Sequence, residues 1–297
     1  MTLLTELSDT LASTVTKASP SIVRVEARRG IPATGIVWSA DGIIVTSHHI
    51  VQHDEAIKIG LDGGETVSAE LVGRDPSTDL AVLRTDAKDL TVPSWAKTDG
   101  LSVGHIVLAL GRPGKTVQAT FGVVSALGDS WVTPSGGRLD RFLQTDVVMY
   151  PGFSGGPLMD VSGSIAGLNT SGVLRGISMA VPHGTVKATV ETLLKHGRVK
   201  RGYLGVGTQP VRLAEALAKQ AGQETGLMVV SVQPDSAAEK AGLLQGDVII
   251  AIGGEKMRHV DDLLTYLSGA AVDQKVDAEI VRGGKLRKIA VIIGERG

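Results

Sequence analysis

The sequence predicts a mainly β protein, with two small β-barrels in tandem followed by a smaller α+β domain. Three observations carry this. Between residues 20 and 182 short apolar runs alternate with Gly/Asp/Pro turns, and almost no helical period interrupts them. From residue 202 onward, strand-like runs are interleaved with helical spacing and a helix-start signature. Glycine supplies 38 of 297 residues, spread without a collagen period, which suits many tight turns. A chain of 297 residues with 42% apolar content is ample for two packed domains.

Taken in order, residues 1–19 read as an amphipathic helix. Leu4, Leu7, Leu11 and Val15 recur at helical spacing, so the stripe packs on its own domain or meets another subunit. Glu6 and Asp9 interrupt its apolar stretch, and no basic and apolar leader pattern appears. The expectation is therefore a cytoplasmic protein if the chain is full-length, and a cell-envelope one if it is trimmed. After Pro20 the period becomes alternating: Val23, Val25 and Ala27 on one face, Arg24, Glu26 and Arg28 on the other. Ala40-Asp41-Gly42 and Asp62-Gly63-Gly64 read as hairpin turns between apolar runs. Further short strands run to residue 181. Residues 20–182 suit two small barrels better than one. Val186, Val190 and Leu193 mark a helix, and Lys195-His196-Gly197 ends it. The basic connector at 198–201 divides a domain at 20–199 from one at 200–297. In the latter, 226–232 and 247–252 are strands, Ser236-Ala237-Ala238-Glu239 is a capping box, 260–267 is a helix, and Gly283-Gly284 turns a hairpin.

Composition excludes several functions. Thirty basic against 31 acidic residues, net −1, leave no footprint for nucleic acid, and aromatics at 3% are too sparse for base stacking. No cysteine means no thiol nucleophile and no Cys-ligated metal. No run of about 18 apolar residues predicts a transmembrane segment. His48, His49 and His53 lack the accompanying carboxylate or thiol spacing of a zinc site, so neither a metal nor a cofactor is expected.

Three motifs carry chemistry together. Thr46-Ser47-His48-His49-Ile50 follows a buried strand. Asp75-Pro76-Ser77-Thr78-Asp79 is an acidic turn entering another. Gly152-Phe153-Ser154-Gly155-Gly156 is a serine in a glycine-rich loop. Each alone reads as an ordinary strand end, turn cap or loop. Together they supply what acyl transfer needs. A serine hydroxyl requires an adjacent base. An imidazole takes and returns the proton. A carboxylate orients the ring. Glycines let backbone N–H groups converge on the oxyanion.

At this point the chain resembles a known family. Gly152–Leu158 looks like the serine motif of trypsin-like proteases. Thr46-x-x-His49, Thr78-Asp79-Leu80-Ala81-Val82-Leu83, Gln144-Thr145-Asp146 and Gly176–Pro182 resemble HtrA/DegP-like proteases more narrowly. Tyr203-Leu204-Gly205-Val206 and Ala241-Gly242-Leu243-Leu244-Gln245-Gly246-Asp247 are similar to the PDZ domain those proteases carry. The resemblance implies a trypsin-like double β-barrel protease domain followed by an α+β PDZ domain. It implies His49 as general base, Asp79 as its orienter and Ser154 as nucleophile; His48 competes but sits one short of the Thr-x-x-His spacing. It implies an oxyanion hole from the N–H groups of Gly152 and Ser154, and a specificity pocket at Val148 and Met149, whose apolar character selects small or medium aliphatic residues. Tyr203–Val206 would hold a peptide C-terminus, with Leu263, Leu264 and Leu267 nearby, most of them core and one or two facing the groove.

The resemblance further implies an ATP-independent serine endopeptidase. Its substrates would be unfolded or misfolded proteins, and its PDZ domain would bind hydrophobic C-termini. The resemblance also implies a trimer or larger assembly, and a simple homotrimer is expected. The segment Arg28–Ala33 is too short for the long loop that builds larger cages. The chain departs from the family at Tyr150 and Phe153, where asparagine is usual. A phenylalanine holds this turn only by burying its ring. The expectation is that it does not, that the loop rests inactive, and that a peptide on the PDZ domain selects the active form. The competing reading is a protease-like chaperone or scaffold whose oxyanion hole never forms.

Overall fold

The alternating strands of the sequence close into two six-stranded barrels, each with one face of its strands turned inward. The computed structural model describes residues 2–96, 100–174, 176–269 and 272–295. The chain divides into two units, Met1–Val199 and Lys200–Gly297. The first holds α1 (Leu3–Ala18) and the strands β1 (Ile22–Glu26), β2 (Ala33–Ser39), β3 (Ile43–Ser47), β4 (Ile57–Gly60), β5 (Thr66–Asp75) and β6 (Leu80–Thr85). They form a closed antiparallel barrel in the order β1-β2-β3-β6-β5-β4. Val23, Val25, Val37, Ile44, Ile59 and Leu83 fill it.

A second closed barrel follows. It comprises β7 (Ile106–Gly111), β8 (Gln118–Gly128), β11 (Phe142–Thr145), β12 (Pro157–Asp160), β13 (Ile165–Thr170) and β14 (Ser178–Pro182). A small hairpin, β9 (Trp131–Val132) and β10 (Arg138–Leu139), lies between β8 and β11. Val107, Ala109, Val124, Leu143, Leu158 and Phe153 line this barrel's core. A further cluster joins the barrels. Ile36, Val45 and Val82 from the first meet Leu108, Leu110 and Leu168 from the second, with Val186, Val190 and Leu193 of α2 (His183–His196). That helix stops where the sequence says: Gly197 is left-handed and its N–H bonds to the Leu193 carbonyl at 2.8 Å.

The N-terminal stripe divides between its two readings. Leu11 and Val15 pack on the core cluster. Leu3 and Leu4 are 81% and 76% exposed, and Leu7 is also exposed. No described helix is long and apolar enough to cross a membrane.

The second unit begins at β15 (Gly202–Tyr203) and β16 (Val206–Arg212). It continues through α3 (Glu215–Ala221), β17 (Thr225–Val232), α4 (Ala237–Ala241), β18 (Val248–Ile252), β19 (Glu255–Lys256), α5 (Val260–Gly269), β20 (Lys275–Arg282), β21 (Lys285–Ile292) and β22 (Gly294–Glu295). Its main sheet runs β16-β17-β18-β20-β21. The capping box is offset by one: Ser236 Oγ accepts the Glu239 N–H at 3.2 Å, but the Glu239 carboxylate takes the N–H of Asp235 at 2.7 Å. Helix α3 has no fully buried residue; Leu217, Ala218 and Ala221 pack partly buried against Leu213, Ile250 and Val281, a stripe of about one turn that is too short for apolar periodicity to register. Leu263 and Leu267 of α5 are core, while Leu264 is half-buried outside the core cluster.

Candidate active site

The base and its partner are set by neighbouring strands. β3 pairs with β6 so that Ser47 lies opposite Leu80. The 3-10 turn His48–Ile50 leaves β3 just where Asp79 enters β6. The acidic turn is self-built: Asp75 accepts the Ser77 N–H at 3.0 Å and the Thr78 hydroxyl at 2.8 Å. This delivers Asp79 at φ 57°, a left-handed conformation that Asp tolerates better than most residues.

Asp79 is 4% exposed and holds His49 at two points. Its Oδ1 accepts the His49 backbone N–H at 2.8 Å, and its Oδ2 lies 2.8 Å from His49 Nδ1. The Thr170 hydroxyl donates to the same Oδ2. With the Nδ1 proton given to Asp79, the Nε2 lone pair is left to accept a proton. The ring of His48 does not share this arrangement. Its Nδ1 is buried without a partner, and burial pushes its pKa down against the opposing pull of Asp79. His53 faces away, with Nδ1 on the Glu55 carbonyl at 2.6 Å. Among the described residues no cluster of three or more His, Asp or Glu side chains is arranged to hold a metal.

Ser154 lies in the loop between β11 and β12. Its Oγ is 3.1 Å from Ser171 Oγ, its one side-chain hydrogen bond among the described residues. Tyr150-Pro151-Gly152-Phe153 forms a turn with the Phe153 N–H on the Tyr150 carbonyl at 3.0 Å and Gly152 at φ 95°. Proline at the second position and a positive-φ glycine at the third are the pattern of a type II turn. Neither the Gly152 nor the Ser154 N–H has an acceptor among the described residues. Both N–H groups, one on the serine and one two residues before it, are therefore open to an acceptor, as an oxyanion hole requires.

The expectation that Phe153 leaves the turn unsupported is corrected here. The ring is fully buried. It packs in the core of the second barrel and meets Tyr150 edge-on, centroids 5.8 Å apart. The slot exists because residue 111 is glycine: a Cβ there would lie 2.6 Å from the Phe153 ring. Sequence reading missed that complement, as it missed Thr170 and Ser171, because each contact joins segments distant in the chain.

The two residues expected at the specificity pocket diverge. Val148 is 55% exposed, and its carbonyl accepts the Thr120 hydroxyl at 2.9 Å. Met149 is partly buried against the second barrel's core. In the second unit, Leu204 is core, Tyr203 donates its hydroxyl to Gln233, and Gly205 has φ 79°. The carbonyls of Leu204 and Gly205 accept the N–H groups of Ala238 and Gln233, both at 2.8 Å. Their own N–H groups carry no acceptor among the described residues, and Val206 opens the strand that follows.

Comparison with known proteins agrees with this geometry. Residues 33–168 match the trypsin-like peptidase domain family, and residues 202–293 match the PDZ domain family. The chain is 37% identical over 279 residues to a protein of Marinomonas sp. (strain MWYL1) named probable periplasmic serine endoprotease DegP-like, covering 91% of this chain and 58% of that one. A protein of Chlamydia muridarum with the same name is 35% identical over 276 residues, covering 91% and 55%. The chain thus spans somewhat over half the length of these curated relatives. Among solved structures, the HtrA-type protease AlgW with a tripeptide is 31% identical, with TM-score 0.75 and coverage of 96% and 97%. The serine endoprotease from Yersinia pestis is 29% identical, with TM-score 0.78 and coverage of 96% and 98%. The relatives named periplasmic overturn the cytoplasmic expectation and point to the cell envelope. That expectation rested on the composition of residues 1–17, which carries no compartment signal. A double-barrel unit matching trypsin-like peptidases, a PDZ unit, and near-complete overlap with AlgW place the chain in one group: it belongs to the HtrA-type, DegP-like family of serine proteases.

Proposed function

We propose that the chain is an ATP-independent serine endopeptidase, with residues 20–199 as the protease domain and 200–297 as a peptide-binding PDZ domain. One observation carries this. Asp79 grips His49 at both its backbone N–H and its ring, which leaves Nε2 to act as a base, while Ser154, bonded to Ser171 at 3.1 Å, is flanked by two unengaged N–H groups. In this reading Ser154 Oγ exchanges Ser171 for His49 and attacks a peptide carbonyl. Its proton passes to Nε2 of His49. The developing oxyanion is held by the N–H groups of Gly152 and Ser154. The tetrahedral adduct collapses as His49 returns the proton to the leaving amine. Water then repeats the sequence on the acyl-enzyme.

Unfolded proteins are the proposed substrates. Val148 and Met149 lack charge and favour aliphatic residues on the acyl side of the cut. Peptides with hydrophobic C-termini are the proposed PDZ ligands. Their carboxylate would meet the unengaged N–H groups of Leu204 and Gly205, and Leu264 would line the side-chain pocket. A homotrimer is the proposed assembly, with exposed Leu3, Leu4 and Leu7 as its candidate contact. The chaperone or scaffold alternative loses its one support with the ring of Phe153 buried.

The test is casein cleavage by wild type, Ser154→Ala, His49→Ala and the double variant. Each single variant is expected to lose nearly all turnover, and the double variant little more, because the pair acts as a unit. Multiplicative losses, or an active Ser154→Ala, would refute the reading.

A further inference from the structure

Thr34, in β2 of the first barrel, is fully buried, and hydrogen bonds converge on it from both barrels. Its hydroxyl donates to the Gly152 carbonyl at 2.7 Å and accepts the Arg112 backbone N–H at 2.8 Å. Its own N–H donates to the Ser154 carbonyl at 3.2 Å. Its carbonyl accepts the Thr46 hydroxyl at 2.6 Å. A threonine hydroxyl has one proton and two lone pairs. Arg112 occupies a lone pair, so the proton is committed to Gly152 and the bond has one direction.

The two residues that Thr34 holds are the two whose N–H groups would face the oxyanion. The peptide plane joining Gly152 to Phe153 is gripped at both edges: its N–H by the Tyr150 carbonyl, its oxygen by Thr34. Reorienting that plane breaks both bonds and leaves the proton of a buried hydroxyl without an acceptor. The plane after Ser154 is held by the Thr34 N–H in the same way. The Thr34 methyl closes the remaining space, since a Cβ at Gly156 would lie 3.1 Å from it.

We propose that Thr34 is a positioning residue of the oxyanion hole. Its hydroxyl locks the Gly152–Phe153 peptide so that the N–H groups of Gly152 and Ser154 converge on one point. This inference rests on the endopeptidase reading above and extends it. The barrel that supplies His49 and Asp79 also sets the electrophile-binding side of Ser154. The sequence gives no sign of this, because Thr34 and Gly152 are 118 positions apart.

The experiment compares full-length wild type, Thr34→Val, Thr34→Ser and Ser154→Ala on a fluorogenic peptide, with kcat, KM and the pH–rate profile measured for each. Valine keeps the shape and removes the hydroxyl. A kcat about ten- to a hundredfold lower is expected, with KM within about twofold and the pH midpoint unmoved. Serine restores the hydroxyl and brings kcat back to within about threefold of wild type. If Thr34→Val does not fold, Thr34→Cys replaces it. Its thiol fills the space of serine but bonds weakly, so kcat falls well below that of Thr34→Ser. A Thr34→Val or Thr34→Cys enzyme as fast as Thr34→Ser overturns the proposal. So does a loss that appears in KM or as a shifted pH midpoint. An inactive Ser154→Ala beside an unimpaired Thr34→Val sinks this inference alone. An active Ser154→Ala, or a wild type that cleaves nothing, sinks the parent reading and this one with it.

Discussion

Replacing Phe153 by asparagine, the residue usual in the family, should lower activity. The ring is fully buried against the second barrel and Tyr150, in space that Gly111 leaves open. Truncating a buried phenylalanine costs about 3–5 kcal/mol. Asparagine adds an amide that must find partners in an apolar slot, at about 1–3 kcal/mol. Part of this falls on the whole fold and part on the turn alone. If about 2–3 kcal/mol falls on the turn, the population with both N–H groups aligned drops by about 30- to 150-fold relative to its competitor. The assay is initial rate on a fluorogenic peptide, with and without a peptide ending in a hydrophobic carboxylate, alongside thermal unfolding. The variant should melt lower, cleave more slowly, and gain proportionally more from the peptide than wild type does. Gly111→Ala should reproduce the slow cleavage by displacing the ring from the other side. A Phe153→Asn enzyme that folds and cleaves at or above the wild-type rate would refute the reasoning.

Two further outcomes are expected. Replacing Leu3, Leu4 and Leu7 by serine should lower the assembly mass in light scattering without changing the fold, because these side chains touch little of their own unit; an unchanged mass would rule out their subunit role. Asp247 is buried, which pushes its carboxyl up, but the Arg282 guanidinium at 2.6 Å on each oxygen and the Leu244 N–H at 2.8 Å outweigh this and hold its pKa below the usual aspartate value. Its contribution is therefore complete above the unfolded value and fades as pH falls through the lower folded one. Asp247→Ala should destabilise the PDZ unit by about 3 kcal/mol at neutral pH, by chemical denaturation, and the difference should shrink in strong acid; an equal gap at both pH values would contradict this.

Much of the site was legible because chain-local signals coincide. The helix stop at Gly197, the acidic turn before Asp79 and the glycines around Ser154 each follow from adjacent residues, and the His–Asp–Ser order followed from the family resemblance. What stayed hidden depends on contacts far apart in sequence. The fate of the Phe153 ring was decided by a missing side chain at 111. The stripe Leu4, Leu7, Leu11, Val15 is uniform as a pattern, yet only its lower half meets the core. Helix α3 went unread because its seven residues carry an apolar stripe of only about one turn, Leu217, Ala218 and Ala221. The compartment expectation fails because it rests on the composition of residues 1–17, against which stand relatives named periplasmic.

Arg112 has a consequence for how the protease unit comes apart. Its guanidinium is only 2% exposed and reaches three places: the Lys115 carbonyl, Ser19 at the end of α1, and Asp62 in the β4–β5 turn. Melting one barrel away from the other would break these bonds and also expose the apolar cluster that the two barrels share, Ile36, Val45 and Val82 with Leu108, Leu110 and Leu168. The two barrels should behave as one cooperative block in which His49 and Ser154 are lost together, so that no partly unfolded form keeps half a catalytic centre. For a protease whose proposed substrates are themselves unfolded chains, that all-or-none behaviour keeps a damaged copy from lingering as a half-active one.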